Sequence, residues 1–436
     1  MFLVGYMLMR SQVIKSYYLI RNSAGSSLNQ MKTEQDQQLQ RIIEYSYKNI
    51  PYYRKVFDRL GLKPDEISKV EDLIKLPVLT KSIIRENIED FYPKNIKMHK
   101  YVNGATGGST GAPLKYRMSD ECYSMGVACL YRGWGYAGYR LGDKVAVIAG
   151  GSLVNKDTSF FYKLKDFMLN FRHYSSYGMD DSLINKYIDD IAGWKPDYLR
   201  GYATSIYEIA KYLNKNKNIN KIKVKAVFTT AEMLLPKQRG LIEKVFGCEV
   251  FNTYGLNDGG VSAYECSYHD GMHIDMERSV LEVVNEKCSQ VVNEEGLILA
   301  TSLHNTSFPF IRYDTNDIGV VSDSKCKCGC QKTLLKSLKG RVTDSLRLNG
   351  SLISSPVLTV LMGSLDILNY QIIQFDERTL EVRLEKGAGF TSEDEDFIKA
   401  SFESHVGKLH IVFNYTSCFD SVGDVKHKFI INKMDL

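Results

Sequence analysis

A segment rich in glycine and hydroxyl residues carries the first side chains with an evident chemical use. Three glycines and three hydroxyls fall within six consecutive positions, in the order Thr106-Gly-Gly-Ser-Thr-Gly111. Glycine allows successive backbone N–H groups to turn toward one anion, and the hydroxyls add donors for phosphate oxygens. It is not a Walker loop, because no Gly-Lys-Ser/Thr follows. Alone, the segment predicts either a phosphate-binding loop or a flexible linker.

Cysteine and histidine residues form a second set, with the chemistry of metal ligands. Cys266 and His269 make a Cys-x-x-His pair, and Cys326, Cys328 and Cys330 place three thiols within five residues. Two such pairs, about sixty residues apart, are what a closed tetrahedral zinc site requires. The alternative is a surface loop with free thiols.

Polar residues that could contact a ligand also occur where predicted strands end. Thr229–Glu232, Asn252–Asp258 and Ile311–Asp317 follow predicted strands, and two further polar motifs, Gly340–Asp344 and Lys426–Lys428, lie later in the chain. In sheets covered by helices, ligands bind at strand ends. Polar residues at the ends of strands in such a sheet are therefore candidates for ligand contacts.

The elements that must position these residues alternate between strand and helix. Short apolar runs typical of buried strands occur at 144–149, 198–202, 226–230, 249–253 and 297–301. Helical patterns occur at 120–131, 182–193, 204–216 and 236–246. Residues 31–91 are mainly helical, with Thr80 as a helix N-cap. This alternation predicts an α/β fold.

The pattern changes after Gly340. Strand-like runs at 370–375, 380–384 and 410–415 flank a helix at 392–405. We expect a large domain at 1–343, with helix-covered sheets, and a small mobile α+β domain at 344–436. A chain of 436 residues is long enough for both.

Composition and charge exclude some classes of function. A net charge of +5 without a dominant basic block gives no case for nucleic-acid binding. The apolar run Met1–Met9 is too short to span a bilayer and is a poor signal peptide. We expect a cytoplasmic protein without a transmembrane segment, whose nine cysteines are reduced thiols or metal ligands.

The order of these motifs resembles the adenylate-forming superfamily, and more narrowly the phenylacetate–CoA ligase family and its capsular-polysaccharide relatives. Leu76–Thr80, Leu199–Tyr202 and Thr301–Tyr313 are further hallmarks. The resemblance covers nearly the whole chain and implies an ATP-dependent ligase. Such enzymes join a carboxylate to the α-phosphate of ATP, expel pyrophosphate, and pass the acyl group to a thiol or an amine.

The resemblance implies that the glycine-rich segment and the strand-end residues bind ATP. The predicted phosphate ligands are Thr106, Gly108, Ser109, Thr110 and Gly111. Ala231 and Glu232 would lie along the adenine edge, and Tyr254 would stack on adenine, with Gly255 allowing close approach of the backbone.

Further residues have implied roles in the reaction. Asp258 lies where the family has an acidic ligand for Mg²⁺, and Asp317 where it binds the ribose hydroxyls. Arg341 would contact the nucleotide from the domain junction. Lys426 would bring positive charge to the α-phosphate, with Lys428 as the rival candidate.

The resemblance also implies a structural zinc ion held by Cys266, His269, Cys326 and Cys328, with Cys330 as a spare thiol. His273 and His304 could face the acyl pocket, although a structural role is the expectation for both. Tyr174, Tyr202 and Gly178 are candidates for lining that pocket.

Three departures from the family pattern keep a second function open. Asp258 replaces the usual glutamate, Val425 a glycine and Ala112 a frequent lysine. They favour a catalytically degenerate nucleotide-binding protein, whereas Asp317, Arg341 and a terminal lysine favour an enzyme. For an enzyme, we favour transfer to an amine during surface-polysaccharide synthesis. The alternative acceptor is CoA, for which no basic phosphate pocket is evident.

Overall fold

The structure is a computed structural model of the chain. It describes residues 12–21, 25–94, 100–105, 114–149, 160–176, 179, 181–218, 221–341, 345–349, 351–354, 358, 361–362, 365–417, 419 and 429–434.

Side-chain caps mark the start of some of the helices. Helices α1 to α9 span Leu28–Asn49, Pro51–Leu60, Lys81–Glu86, Asp120–Trp134, Phe160–Leu169, Asp181–Trp194, Ala203–Lys215, Pro236–Phe246 and Ser392–Val406. The Ser27 side chain accepts a hydrogen bond from the Gln30 N–H ahead of α1. Thr80 accepts one from the Ile83 N–H at 3.3 Å, which confirms the predicted cap of α3. These side chains satisfy N–H groups that have no partner within the helix.

The strands include every buried run that the sequence predicts. Strands β1 to β19 span Tyr101–Ala105, Lys115–Ser119, Val145–Ala149, Phe171–Ser175, Tyr198–Tyr202, Ala226–Thr230, Glu249–Gly255, Ser262–Glu265, Met272–Ile274, Ser279–Val284, Glu295–Ser302, Tyr313–Ser322, Leu334–Arg341, Ser345–Leu348, Ser351–Ser354, Ile367–Gln374, Thr379–Lys386, His410–Tyr415 and Ile430–Asn432. All five residues of β3 are buried, as its continuous apolar run predicts. The α/β fold class is confirmed.

Contacts between residues divide the chain into two compact units, each built from three segments. The first unit contains Met1–Val145, Asp157–Arg172 and Phe251–Leu338. The second contains Ala146–Lys156, His173–Val250 and Lys339–Leu436. This division groups the C-terminal residues with α7 and α8, so it differs from the boundary expected between residues 343 and 344. That boundary stays a prediction, since residues 342–344 lie outside the described part of the chain.

The first unit is built on antiparallel strands. Its strands follow the order β10-β11-β12-β13-β9-β8-β7. The pairs β10–β11, β11–β12, β13–β9, β9–β8 and β8–β7 are antiparallel. A large apolar core joins α1 and α2 to the segment before β12 and includes Leu39, Phe57, Phe308 and Tyr313. Strands β1 and β2 form a separate antiparallel pair whose register matches Ala105 with Lys115.

The second unit contains three groups of paired strands, one of which is the antiparallel pair β14–β15. Strands follow the order β6-β5-β3-β4, in which β5 and β6 are parallel. The C-terminal residues form the order β18-β17-β16-β19, and α9 contributes Ile398 and Phe402 to the core of that sheet. Leu235 belongs to the same core. Lys211 donates to Glu385 at 2.5 Å, and Lys237 pairs with Asp366. These contacts explain why the C-terminal sheet groups with α7 and α8.

Candidate functional site

The structure brings together two of the predicted nucleotide ligands, Tyr254 and Asp317. Tyr254 lies near the end of β7, and Asp317 lies within β12. The Tyr254 hydroxyl donates a hydrogen bond to Asp317 Oδ2 at 2.8 Å. Tyr254 is 7% exposed and Asp317 is 5% exposed. An aromatic ring and a carboxylate are therefore held side by side, as a site for a base and a ribose requires.

The local backbone fixes the direction of Asp317. Asn316 has a φ of +58°, and its N–H donates to Asp314 Oδ1 at 2.7 Å. The Asp317 N–H donates to Thr315 Oγ1 at 3.1 Å. Asparagine adopts this left-handed conformation more readily than most residues, and its neighbours supply the bonds that hold it.

Arg312 lies directly before β12 and anchors the start of that strand through buried contacts. Its guanidinium pairs with Glu282 at 3.2 Å and donates to the carbonyls of Leu76 at 2.8 Å and Cys288 at 2.9 Å. Arg312 is 1% exposed, so it is a structural residue.

Asp258 lies in the turn between β7 and β8 and is oriented by Tyr313. The Tyr313 hydroxyl donates to Asp258 Oδ2 at 3.0 Å. Tyr313 is fully buried, and burial followed by the charge of Asp258 raises the pKa of its hydroxyl. The phenol therefore stays a donor to the carboxylate throughout the physiological range. Asp258 itself is partly exposed, which suits a group that is predicted to bind a cation.

Glu232 has a partner that the sequence does not reveal. It accepts hydrogen bonds from the Thr204 N–H at 2.9 Å and from the Thr204 hydroxyl at 2.6 Å. Thr204 is in the first turn of α7, where free N–H groups and the helix dipole attract a carboxylate. The side chain therefore caps α7, and its predicted position along the adenine edge stays a prediction. Ala231, directly before it, has a φ of +67°.

Several predicted site residues lie outside the described part of the chain. These are Thr106, Gly108, Ser109, Thr110, Gly111, Lys426 and Lys428. The first five connect β1 to β2, whose ends are matched in register. For Arg341, only the backbone is described, as the last residue of β13. Their roles stay predictions.

Four metal-ligand side chains converge in the first unit, and one of them was not expected. The ligand atoms of Cys266, His273, Cys326 and Cys328 all lie within 4.8 Å of one another. Cys266 Sγ is 3.6 Å from Cys326 Sγ, and Cys328 Sγ is 3.2 Å from His273 Nε2. His273 is placed by β9, which pairs with both β8 and β13.

His269, the expected fourth ligand, points elsewhere. Its φ is +50°, its Nδ1 lies 3.0 Å from Glu265 Oε2, and its ring lies 5.0 Å from that of Phe251. The Cys-x-x-His spacing suggested His269, but the turn after Cys266 directs the ring away from the thiols. The structure therefore places His273 in the cluster in its stead.

One sulfur–sulfur separation in the cluster can be compared with that of a tetrahedral zinc site. Zn–S bonds of about 2.3 Å at tetrahedral angles separate two sulfur ligands by about 3.8 Å. The observed separation of 3.6 Å between Cys266 and Cys326 is close to that value. Burial raises the pKa of the Cys266 thiol to about 12, so a cation would be needed to favour its thiolate at neutral pH.

The remaining predicted pocket residues have structural contacts. His304 Nδ1 lies 3.1 Å from Glu121 Oε1, and its Nε2 lies 2.8 Å from the Glu277 carbonyl. The Tyr174 hydroxyl donates to Asp190 at 2.7 Å, and Tyr202 is fully buried. Gly178 lies outside the described residues. His304, Tyr174 and Tyr202 are therefore buried, and the acyl pocket predicted around Tyr174, Tyr202 and Gly178 stays a prediction.

Sequence comparisons find relatives with known names. No family model matches the chain. It is 26% identical to Protein CapK of Staphylococcus aureus over 346 residues, which cover 79% of this chain and 75% of CapK. It is 23% identical to phenylacetate-coenzyme A ligase of Thermus thermophilus, covering 80% of each chain. The Escherichia coli phenylacetate-coenzyme A ligase is 26% identical over 74% of each chain.

Solved structures with the same fold are ligases. The 2-hydroxyisobutyryl-CoA ligase in the postadenylation state matches with a TM-score of 0.75 and 17% identity, over 95% of this chain and 92% of that one. The anthranilate CoA ligase AuaEII matches with a TM-score of 0.51 and 13% identity, over 73% and 63%. Among the described residues, no helix has both the length and the apolar character needed to cross a bilayer.

Proposed function

Because this chain is a homologue of the phenylacetate-coenzyme A ligases and CapK and has the fold of adenylate-forming ligases, we propose that it activates a carboxylic acid with ATP. A carboxylate oxygen forms a bond to the α-phosphorus, and the bond from that phosphorus to pyrophosphate breaks. The product is an acyl-AMP. An acceptor nucleophile then attacks the acyl carbon and AMP leaves.

The observation that carries this proposal is the hydrogen bond between Tyr254 and Asp317. This bond joins two motifs that are distant in the sequence and that the family resemblance assigns to one nucleotide. The donor and acceptor oxygens are 2.8 Å apart, and both side chains are buried. In this role the Tyr254 ring packs on adenine, and the Asp317 carboxylate accepts from ribose hydroxyls. A charge-assisted bond of this kind gives orientation as well as affinity.

Asp258 is the proposed ligand of Mg²⁺. Mg²⁺ is usually bound through one or two carboxylates together with substrate phosphates and water. One oxygen of Asp258 accepts from Tyr313, which sets the direction of the carboxylate. The shorter aspartate side chain allows contact through a water molecule where the family's glutamate would reach further. Bound Mg²⁺ would reduce the repulsion between the carboxylate substrate and the polyphosphate.

Other roles in the proposal rest on sequence. The glycine-rich segment, Thr106 to Gly111, would donate to the β- and γ-phosphates. Arg341 would contact the nucleotide, and Lys426 would stabilise the charge that develops on the α-phosphate. The Ala231 backbone remains the proposed neighbour of adenine. The cap that Glu232 forms on α7 would keep this segment in place.

The Cys266, His273, Cys326 and Cys328 cluster is a proposed structural zinc site. Three thiolates and one imidazole complete a tetrahedral set, so the metal would link the turn after β8, strand β9 and the loop before β13. It would have no open position for a substrate. His273 takes the place that sequence spacing gave to His269.

The acceptor is proposed on the basis of the relatives. We favour an amine acceptor in capsular or other surface-polysaccharide synthesis, because the sequence motifs resemble the capsular-polysaccharide relatives of the family. Likeness to three phenylacetate-coenzyme A ligases supports CoA as a second candidate. We place the reaction in the cytoplasm, where ATP is abundant.

ATP–pyrophosphate exchange with a panel of carboxylic and amino acids tests the proposed function. We expect exchange that depends on one class of acid and on Mg²⁺, and a loss of exchange in Asp317→Ala. After the acid is known, CoA and amines can be compared as acceptors by the rate of AMP release. Binding of ATP without exchange for any acid would instead favour a degenerate nucleotide-binding protein.

A further inference from the structure

Arg278 is a buried arginine whose charge has no carboxylate partner among the described residues. It directly precedes β10 and is 6% exposed. Its guanidinium donates to the Val261 carbonyl at 3.3 Å, to the Leu256 carbonyl at 3.5 Å and to Asn257 Oδ1 at 3.5 Å. These distances are at the long end for N–H···O bonds. Its Nε has no hydrogen-bond partner.

Two other arginines of this unit have carboxylate partners; Arg312 is buried, and the side chain of Arg132 is 10% exposed. Arg312 pairs with Glu282 at 3.2 Å. Arg132 pairs with Asp275 and, at 2.6 Å, with Glu277. An unpaired buried charge is costly, so a fold normally supplies a partner or excludes the group. Arg278 therefore either destabilises the folded protein or has a bound ligand as the partner of its charge.

The contacts of Arg278 favour a ligand. All three of its hydrogen bonds go to the turn between β7 and β8, which carries Asp258. That turn also contains Gly259 and Gly260, with φ values of +87° and +73°, so its backbone is one that other residues would strain. The guanidinium is thus attached to the segment that presents the proposed Mg²⁺ ligand.

The packing on the opposite side leaves room for this guanidinium. Gly126 lies in α4, and a Cβ atom there would approach Arg278 Nη2 to 2.9 Å. A glycine in the middle of a helix costs stability relative to alanine. Space for the arginine is a physical reason for glycine at this position.

We infer that Arg278 is a positioning residue for polyphosphate binding. It holds the Leu256–Asp258 turn, and its uncompensated charge favours the magnesium complex of a nucleoside triphosphate, or pyrophosphate, at that turn. This inference rests on the proposed adenylation. In a low-dielectric surrounding, a positive charge near an anion is worth more than the same charge in water.

Replacement of Arg278 separates this role from a structural one. Arg278→Met removes the charge while keeping an unbranched side chain, and Arg278→Lys keeps the charge but not the planar fork. In Arg278→Met we expect an unfolding midpoint that is unchanged or higher, since no carboxylate is left unpaired. We expect its KM for MgATP in pyrophosphate exchange to rise by about tenfold. Arg278→Lys should recover part of that loss.

Gly126→Ala provides a second variant that retains the arginine. It adds a methyl group against the guanidinium and should stabilise α4. We expect KM for MgATP to rise several-fold without loss of thermal stability. Gly240→Ala is the matched control, because a Cβ there meets no atom within 4 Å; it should leave KM unchanged.

Three results would overturn the inference. The first is an unfolding midpoint that falls in Arg278→Met as far as it does in Arg312→Met. The second is an unchanged KM for MgATP in Arg278→Met. The third is an unchanged KM for MgATP in Gly126→Ala. Wild-type exchange would still stand in each case, so the proposed function would survive. If the wild-type protein has no exchange, thermal shifts with magnesium pyrophosphate as the probe test Arg278 separately. A shift in the wild type that is lost in Arg278→Met supports the inference, and equal shifts contradict it.

Discussion

Two regions of the first unit bury an arginine, and they treat its charge in different ways. Around Arg312, Glu282 neutralises the guanidinium, and backbone carbonyls at 2.8 and 2.9 Å complete its bonds. Around Arg278, the acceptors are two carbonyls and one amide oxygen at 3.3 to 3.5 Å. The charge and the hydrogen bonds of Arg312 are therefore satisfied within the protein. The positive charge of Arg278, for which we infer an anionic ligand, lies beside the turn that carries Asp258.

This difference separates residues that stabilise the fold from residues that bind a ligand. Arg312 connects the segment at Leu76 to β12, and the backbone repeats that link, with the Leu79 N–H donating to the Arg312 carbonyl at 3.0 Å. Its removal should therefore affect stability. Groups whose partners are ligands should affect rate or affinity and leave stability nearly unchanged.

The largest expected effect is on stability, in Arg312→Met. This change leaves Glu282 buried without its partner, which typically costs about 3–5 kcal/mol. Urea unfolding at neutral pH measures the loss. The double variant Arg312→Met/Glu282→Leu should recover much of it, because no unpaired charge remains. A loss below about 1 kcal/mol in the single variant would remove the distinction between the two regions.

Lys426→Ala should lower the reaction rate and leave the stability unchanged, which is the opposite of the result expected for Arg312→Met. Loss of a preorganised charge at the reacting phosphate typically lowers rate by about 10²–10³-fold. We expect pyrophosphate exchange to fall by that factor, with ATP binding by calorimetry and the unfolding midpoint retained. Lys428→Ala is the matched control, two residues away. If Lys428→Ala loses exchange and Lys426→Ala keeps it, the assignment of the two lysines is reversed.

Histidine replacements distinguish the two possible zinc ligands. His273→Ala should reduce bound zinc from about one equivalent to well below half and lower the unfolding midpoint, because a four-ligand site loses one bond. His269→Ala should retain the metal. Elemental analysis of both purified variants provides the comparison. Metal loss only in His269→Ala would show that the turn after Cys266 rearranges when the ion binds.

The smallest expected effect is a change in acid stability from Glu277. Burial opposes its ionisation, but Arg132 and Lys332 together lower its pKa from 4.5 to about 2. Because the folded-state pKa lies below the unfolded one, its contribution is complete above about pH 4.5 and is lost as pH falls toward 2. We expect the free energy of unfolding to fall less steeply over that window in Glu277→Gln. Parallel slopes for the two proteins would show that Glu277 does not titrate with folding.

Much of the fold follows from local patterns in the sequence. The runs at 198–202 and 226–230 coincide with β5 and β6, and the helix predicted at 236–246 coincides with α8. Strands β5 and β6 are short apolar runs, and α8 begins at Pro236 and is followed by Gly247, so local signals define these elements. The antiparallel strands β8, β9 and β10 were not predicted, since they are short and their pairing depends on distant residues.

The sequence predicts site residues well where a motif lies at the end of a strand. It predicts them less well where the role of a residue depends on the direction of its side chain. Tyr254 and Asp317 meet as their order in the motifs suggests. His269 and His273 are four residues apart, and only the backbone conformation shows which one faces the thiols. No sequence pattern indicates Arg278, because the role proposed for it follows from the absence of a carboxylate partner among the described residues.

Transfer of oxygen from the acid substrate tests the central claim most directly. The protein would be incubated with ATP, Mg²⁺, the acceptor and a carboxylic acid labelled with ¹⁸O in its carboxyl group. Attack on the α-phosphate predicts AMP that carries one ¹⁸O atom, detected by mass spectrometry. Label in inorganic phosphate, with ADP as the nucleotide product, would mean attack on the γ-phosphate and would contradict the account.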